Sequence, residues 1–400
     1  MAQALENYPM NFCWYRALIC ALFLLPGWAT AAPLFQTQDI FPPQEQHTHS
    51  SSLVETPGGD LLTCWFQGSG ERTADDVVVN GARLNKGKDT WSAPFLMADT
   101  PGFPDTNPVL WINQKDELRL IWFPVLAHRW ECGYLKYRIA TDYEGPGAPK
   151  WSWQDNIHLK PGEDFATIFA RKHREMGFSE GMWAEYARPY IEDLENAAKD
   201  AYKRQTGWMP RVHPTTLKSG RVLLPLYSDG FNISLIAISD DDGATWYASE
   251  PLVGEGPTQP SLIEKKDGTI AAYIRDTGRE PWRTQYSESK DGGLSWSPSV
   301  DLDIPNPDAS LEVIPLATGE WLMVCNDLAD NRGQLTAYLS DDEGATWKWK
   351  RVIESDGHEF SYPSVIQSRD GNIQMTYTRK TDAGKTIAHT VVNLEWLKGE

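Results

Sequence analysis

The sequence predicts an all-β, six-bladed β-propeller with four-stranded blades and a helical insertion between the second and third blades. Three observations carry that expectation. The octapeptide SDDDGATW ends at Trp246 and returns as SKDGGLSW ending at Trp296 and SDDEGATW ending at Trp347. Six copies of a hairpin-like pattern run through the chain, and one interval in the repeat is too long.

A period near fifty residues is the signature of a repeated supersecondary unit rather than of a local motif. The six hairpin copies are SSSLVETPGGDLLTCWF, TNPVLWINQKDELRLIWF, VHPTTLKSGRVLLPLYS, TQPSLIEKKDGTIAAYI, ASLEVIPLATGEWLMVC and SYPSVIQSRDGNIQMTY. In each, a Gly-containing turn separates two runs rich in Leu, Ile, Val, Tyr and Trp, which reads as a β-hairpin. A second strand pair around the acidic Gly turn follows, so each unit has four strands and six units close a ring. Degenerate turns support the count, LNKGKDTW ending at Trp91 and TDYEGPGAPKW ending at Trp151. Within the octapeptide, Asp is suited to accept turn N–H groups, Gly to supply positive φ, and Trp to pack between neighbouring blades. The repeat is therefore expected to be a fold device.

Trp151 and Trp246 are 95 positions apart, so about 45 residues are inserted there. The segment from Gly162 to Trp208 has a helical pattern, with Phe165, Ile168 and Phe169, then Trp183, Tyr186, Tyr190, Leu194 and Ala198 along one stripe. Pro189 is placed to kink or start a helix. This segment reads as helices packed on the propeller rim, with a lid or a dimer surface as the sharper alternative.

Ahead of the propeller, ALICALFLL follows Arg16 and leads into small residues at Ala29, Ala31 and Ala32. That is the pattern of a signal peptide over residues 1–32, and an apolar run of nine is too short to span a bilayer. Export to the periplasm or the extracellular space is the expectation. Of five cysteines, Cys64, Cys132 and Cys325 lie beyond that segment, an odd and widely spaced set with neither a disulfide framework nor a CxxC metal pattern. The formal charge of −18 disfavours nucleic acid and anionic membrane as partners. A local group of arginines can still oppose that field, and 18 Trp, 15 Tyr and 13 Phe suit a carbohydrate partner.

Aligning the six hairpins puts Ser50, Asn107, His213, Gln259, Ser310 and Tyr362 at one repeated position near the axis. His47, His49 and Arg211 are close to it. His47 and His49 point the same way on a strand, but His-x-His alone is not a closed metal ligand set, so no metal and no cofactor are expected. Asn232-Ile233-Ser234 has the form of a glycosylation sequon.

The octapeptides resemble the Asp boxes of the sialidase superfamily, the BNR-repeat proteins, over essentially the whole chain beyond residue 32. The resemblance implies three arginines around a substrate carboxylate, a Tyr nucleophile supported by Glu, and an Asp acid/base. Arg332, in RGQLTAYLSDDEG, is similar to the third arginine, and Tyr362, in FSYPSV, to the nucleophile. Arg283 looks like the second arginine, with Arg275 as its rival, and Asp75 or Asp76 fits the acid/base. The first arginine is absent and His49 stands near its place; Gln259 stands where the supporting Glu is expected, with Glu312 as a possible substitute. Arg211, His213, Asn107 and His47 complete the expected substrate-binding set. The resemblance implies a glycosidase releasing a terminal acidic sugar. A uronate lyase using Tyr and His, or a non-catalytic carbohydrate-binding propeller, remains open, as does the oligomeric state.

Overall fold

The computed structural model describes residues 32–176 and 182–399, with 182–189 described by backbone alone. The expected signal peptide, apart from Ala32, and the Trp183 and Tyr186 side chains lie outside the described residues.

Six antiparallel sheets stand around one axis, and all six predicted hairpins are their first two strands. The innermost strands are His47–Glu55, Asp105–Ile112, the split pair Met209–Pro210 and Thr215–Thr216, Pro257–Glu264, Glu312–Pro315 and Glu359–Gln367. We number the blades 1 to 6 in that order. Blade 6 takes its fourth strand, Phe35–Asp39, from the other end of the chain, paired antiparallel with Gly384–Val392. Phe35 stacks on Trp396 at 4.8 Å, and the Asn393 side chain accepts from Leu34 N at 2.8 Å. The ring is thus closed by pairing the two ends of the propeller, which buries two edges that would otherwise be open.

The acidic octapeptides behave as their chemistry requires. Asp241 accepts from Thr245 N at 2.8 Å and Ser239 Oγ at 2.8 Å, and Asp291 and Asp342 repeat the pattern. Hydrogen bonds from Thr346 and Ser340 hold the Asp342 carboxyl down to about 2. Gly344 has φ 79°, and a Cβ there would meet the Tyr273 hydroxyl at 2.0 Å, so this position requires Gly twice over. Each turn's Trp packs back on the preceding blade. Trp246 meets Trp111 at 6.3 Å, Trp347 meets Tyr273 at 5.6 Å, and Trp91 donates to His389 across the blade 1 to blade 6 joint. Trp296 is buried in the apolar seam between blades 3 and 4.

The insertion consists of α1 (Phe165–Glu175), α2 (Met182–Lys199) and α3 (Ala201–Gln205). Phe165, Phe169, Leu194 and Ala198 are buried in one cluster with Trp208 and Phe231 of the propeller. Buried Lys172 donates to Pro251 O at 2.9 Å and pairs with Glu250 at 3.1 Å. The helices are therefore anchored on the rim, as the first of the sequence readings expects.

Nearest the axis, every blade joint carries a hydrogen bond. Ser52 Oγ accepts from Leu110 N, Asn107 donates to the Tyr227 hydroxyl, and Thr215 donates to Leu262 O. Ser261 Oγ accepts from Val313 N, Glu312 accepts from Val365 N, and Ser364 Oγ accepts from Leu53 N. Across this ring lies one ion pair. His213 Nδ1 faces Glu312 Oε1 at 2.6 Å while Nε2 faces Leu53 O at 2.8 Å, so both ring nitrogens meet acceptors. An imidazole can donate from both nitrogens only as the cation. Burial works against that charge, but the Glu312 carboxylate, its hydrogen bond and the Leu53 carbonyl outweigh it and raise the His213 pKa.

Two outcomes follow from these joints. In urea unfolding, Trp296→Ala loses about 3 to 5 kcal/mol by emptying a packed indole site, and Asp291→Ala loses less; the reverse order would move the joint's strength to the turn. Because the His213 pKa is raised on folding, its stabilisation is fully present below about pH 6.5 and is lost as pH rises through the folded value. The Tm gap between the parent and His213→Gln should therefore narrow toward alkaline pH, and a constant gap from pH 5.5 to 9.5 would contradict the charged pair.

Candidate active site

Four innermost strands carry the same irregularity at the same place. Register shifts by one residue between His49 and Ser52, Thr106 and Val109, Thr258 and Ser261, and Ser361 and Ser364. Within these bulges Ser50, Asn107, Gln259 and Tyr362 have φ of 58°, 48°, 54° and 60°. They are four of the six positions that the hairpin alignment brings together. Left-handed backbone at a side chain as bulky as Tyr is held at a cost of about 1 to 3 kcal/mol and is found at ligand sites. Bulges re-aim side chains, and here they turn the repeated residues toward one mouth.

Tyr362 is the centre of that mouth. Its hydroxyl oxygen accepts from Arg275 Nη1 at 2.8 Å and Gln259 Nε2 at 3.3 Å. The guanidinium of Arg211 lies 4.7 Å from its ring centroid, with Arg332 at 5.7 Å and Arg275 at 5.9 Å. His49 packs on the ring at 4.0 Å. Arg275 pairs with the Asp308 carboxylate at 2.6 Å and Arg332 donates to the Asp308 carbonyl, so one residue orients two arginines. Burial disfavours the Arg275 cation, but Tyr362, Asp308 and Tyr227 outweigh it and raise its pKa. Burial lowers Arg211 to about 10, which leaves it a cation at neutral pH. Its Nη2 donates to Pro363 O at 3.0 Å, which seats it beneath Tyr362.

His49 is a neutral imidazole. Burial, then the charges of His47, Lys385, Arg332 and Arg211, push its pKa well below the usual value, and its Nδ1 is 3.0 Å from Thr378 Oγ1. His47 stands one row out with the Lys385 ammonium 3.1 Å from its Nδ1; burial and that cation lower it to about 4. A lysine donor on Nδ1 occupies the lone pair a metal would use. Among the described residues no group of three or more His, Cys, Asp and Glu is arranged to share a metal ion.

The structure separates the sequence alternatives. Arg275 is the arginine at Tyr362; Arg283 is a correction, because it begins the next strand and pairs with Asp303 at 3.3 Å on the outside. His213 is also corrected, since its Nδ1 is spent on Glu312 and its Nε2 on the Leu53 carbonyl, and Glu312 supports His213 and Val365 N rather than Tyr362. Asn107 is spent on Tyr227 and acts by positioning it. Asp76 accepts from Ser69 N and Oγ within its own loop, whereas half-exposed Asp75 is 2.8 Å from His128 Nε2. Asn232 accepts from Thr277 Oγ1 at 2.6 Å, so the sequon's amide is engaged within the fold.

Sequence reasoning missed Tyr227, Asp308, Asp229 and Thr378. Tyr227 and Thr378 lie at the axial ends of second strands, the same place as Arg275, so extending the hairpin alignment to second strands carries their signal. Asp308 precedes the short blade 5 strand in a left-handed turn of φ 50° and has no counterpart in the repeat. Asp229 shares the mouth, where Arg275, Arg72, Asp308 and Glu71 act on its charge.

Comparison with known proteins agrees with the propeller fold. Residues 208–375 match the BNR repeat-like domain family. A stretch of 171 residues, 40% of the chain, is 31% identical to a sialidase of Micromonospora viridifaciens. Another alignment, of 191 residues and 43% of the chain, is 26% identical to an anhydrosialidase of Macrobdella decora. These matches span 25% of the length of each relative. A solved protein of unknown function from Dyadobacter fermentans superposes with TM-score 0.67 and 15% identity over 90% of this chain and 99% of its own. The chain is a six-bladed propeller with three Asp-box turns, similar over residues 208–375 to the BNR repeat-like domain family and over about two-fifths of its length to sialidases.

Proposed function

We propose that the protein is an exported glycosidase that releases a terminal anionic sugar from a glycan. The observation that carries this reading is Tyr362, its hydroxyl on Arg275 and its ring among three guanidinium groups. Arg275 and Arg332, held by Asp308, would take the sugar's carboxylate, because guanidinium forks match carboxylate geometry. Tyr362 would attack the anomeric carbon, and Asp75 would give its proton to the leaving oxygen and then draw one from water. With Gln at 259 rather than a carboxylate, the phenolic proton would pass to water at the mouth, and water would return it when the Tyr362 oxygen leaves the anomeric carbon. Arg275, Arg211 and Arg332 would stabilise the phenolate so formed until its oxygen bonds the anomeric carbon.

A second reading, elimination across a uronate, is favoured by one observation. Neutral His49 packs on Tyr362, which supplies a base and a second polar group without a carboxylate. Its unsaturated product absorbs in the ultraviolet.

The test is mass spectrometry and absorbance on the mature chain incubated with sialosides, uronate glycans and neutral glycans. The expected product is a free anionic monosaccharide with water added, reduced about 10³-fold or more in Tyr362→Phe and Arg275→Ala and unchanged in Arg283→Ala. An unsaturated sugar would replace hydrolysis with elimination, and no product in any class would leave a binding propeller. Asp75→Asn should slow substrates with poor leaving groups by about 10²-fold or more and spare activated aryl glycosides; equal loss on both would remove Asp75 as the acid.

A further inference from the structure

Between the helical insertion and blades 3 and 4 lies a cleft of about 270 Å³. Its apolar side is Tyr190, Ile191 and Leu194 of α2 with Phe231 and Ile233 of blade 3; Asn232, Glu255, Thr277 and Arg279 supply the polar edge. Two of its segments also build the active site. The blade 3 turn runs from Tyr227 and Asp229 at the mouth to Phe231–Ile233 in the cleft, and the blade 4 turn from Arg275 at the mouth to Thr277–Arg279 in the cleft. Both turns join the second and third strands of their blades, so they rise on the same face of the propeller as the mouth.

We infer that this cleft is a second carbohydrate subsite, which takes a neutral sugar on the far side of the bond that is cleaved. It deepens the glycosidase reading and rests on it for the order of the two sugars. A half-exposed aromatic ring beside aliphatic side chains suits the C–H face of a pyranose, and a nearby edge of amide, hydroxyl and guanidinium groups suits its hydroxyls. The walls are held by ring packing and hydrogen bonds. Phe231 stacks on Trp208 at 5.8 Å and meets Phe165 edge-on at 5.6 Å, and Tyr190 shares a hydrogen bond with Asn232, whose oxygen also accepts from Thr277. The volume accommodates about one or two sugar rings, below the usual span of drug-sized pockets. The insertion thereby gains a role that packing alone does not require: α2 places Tyr190 in the cleft that the turn after Arg275 lines with Thr277–Arg279.

The test is ligand-observed NMR titration with lactose as the neutral probe, and with N-acetylneuraminate and glucuronate as anionic probes. The parent, Tyr190→Ala, Tyr190→Phe and Arg275→Ala chains are compared after their Tm values are matched. Lactose affinity should fall about tenfold in Tyr190→Ala and survive in Tyr190→Phe and Arg275→Ala. No lactose binding to the parent, equal binding to Tyr190→Ala, or loss in Arg275→Ala would overturn the subsite. If lactose behaves as stated while neither anionic sugar responds to Arg275→Ala, the cleft stands as a neutral-sugar site and the glycosidase reading falls separately.

Discussion

Six hydrogen bonds, one at each blade joint near the axis, and the His213–Glu312 pair laid across them fix the geometry on which the rest depends. Each neutral bond contributes about 1 kcal/mol, so their value lies less in energy than in register. Ser52, Ser261 and Ser364 each stand two residues after a left-handed bulge residue. The bulge that aims Ser50, Gln259 or Tyr362 at the mouth therefore also aims a serine at the next blade. The axial pair adds to this at the site itself. His213 is two residues from Arg211, and Glu312 grips the backbone three residues beyond Tyr362, so the same charges that close the axis seat the cation beneath the phenol ring.

The electrostatic consequence is a reversal of sign. A chain of formal charge −18 gathers Arg211, Arg275, Arg332 and Lys385 around one tyrosine and two neutral histidines. Burial first, and then those cations, oppose protonation of His47 and His49. Arg211 also explains how a site without the first arginine of the resemblance retains three. It arrives from blade 3, beneath the ring, where its donors hold backbone carbonyls, which leaves Arg275 and Arg332 as the two that the proposed function assigns to a ligand.

The architecture was legible because Trp246, Trp296 and Trp347 repeat a joint that has to be made at every blade, and because six hairpins share one apolar pattern. The closing strand was not. FQTQD is short and mostly polar, and its only signal is the partner it finds at the other end of the chain. In the mouth, Tyr362, Gln259 and His49 were placed by the repeat and Arg332 and Arg275 by the resemblance, whereas Arg283, preferred there over Arg275, lies away from Tyr362 and pairs with Asp303. It opens a strand that the turn after Arg275 has carried to the blade exterior. Asp308 and the axial role of His213 depend on contacts between blades, and no pattern within a blade encodes them.

The most direct test of the account is a crystal structure of the Tyr362→Phe chain soaked with N-acetylneuraminate or glucuronate. The account predicts a carboxylate within hydrogen-bonding distance of Arg275 and Arg332, with the anomeric carbon facing the ring at position 362 and the axial His213–Glu312 pair unchanged. A carboxylate bound elsewhere, or a sugar whose anomeric carbon faces away from that ring, would contradict it.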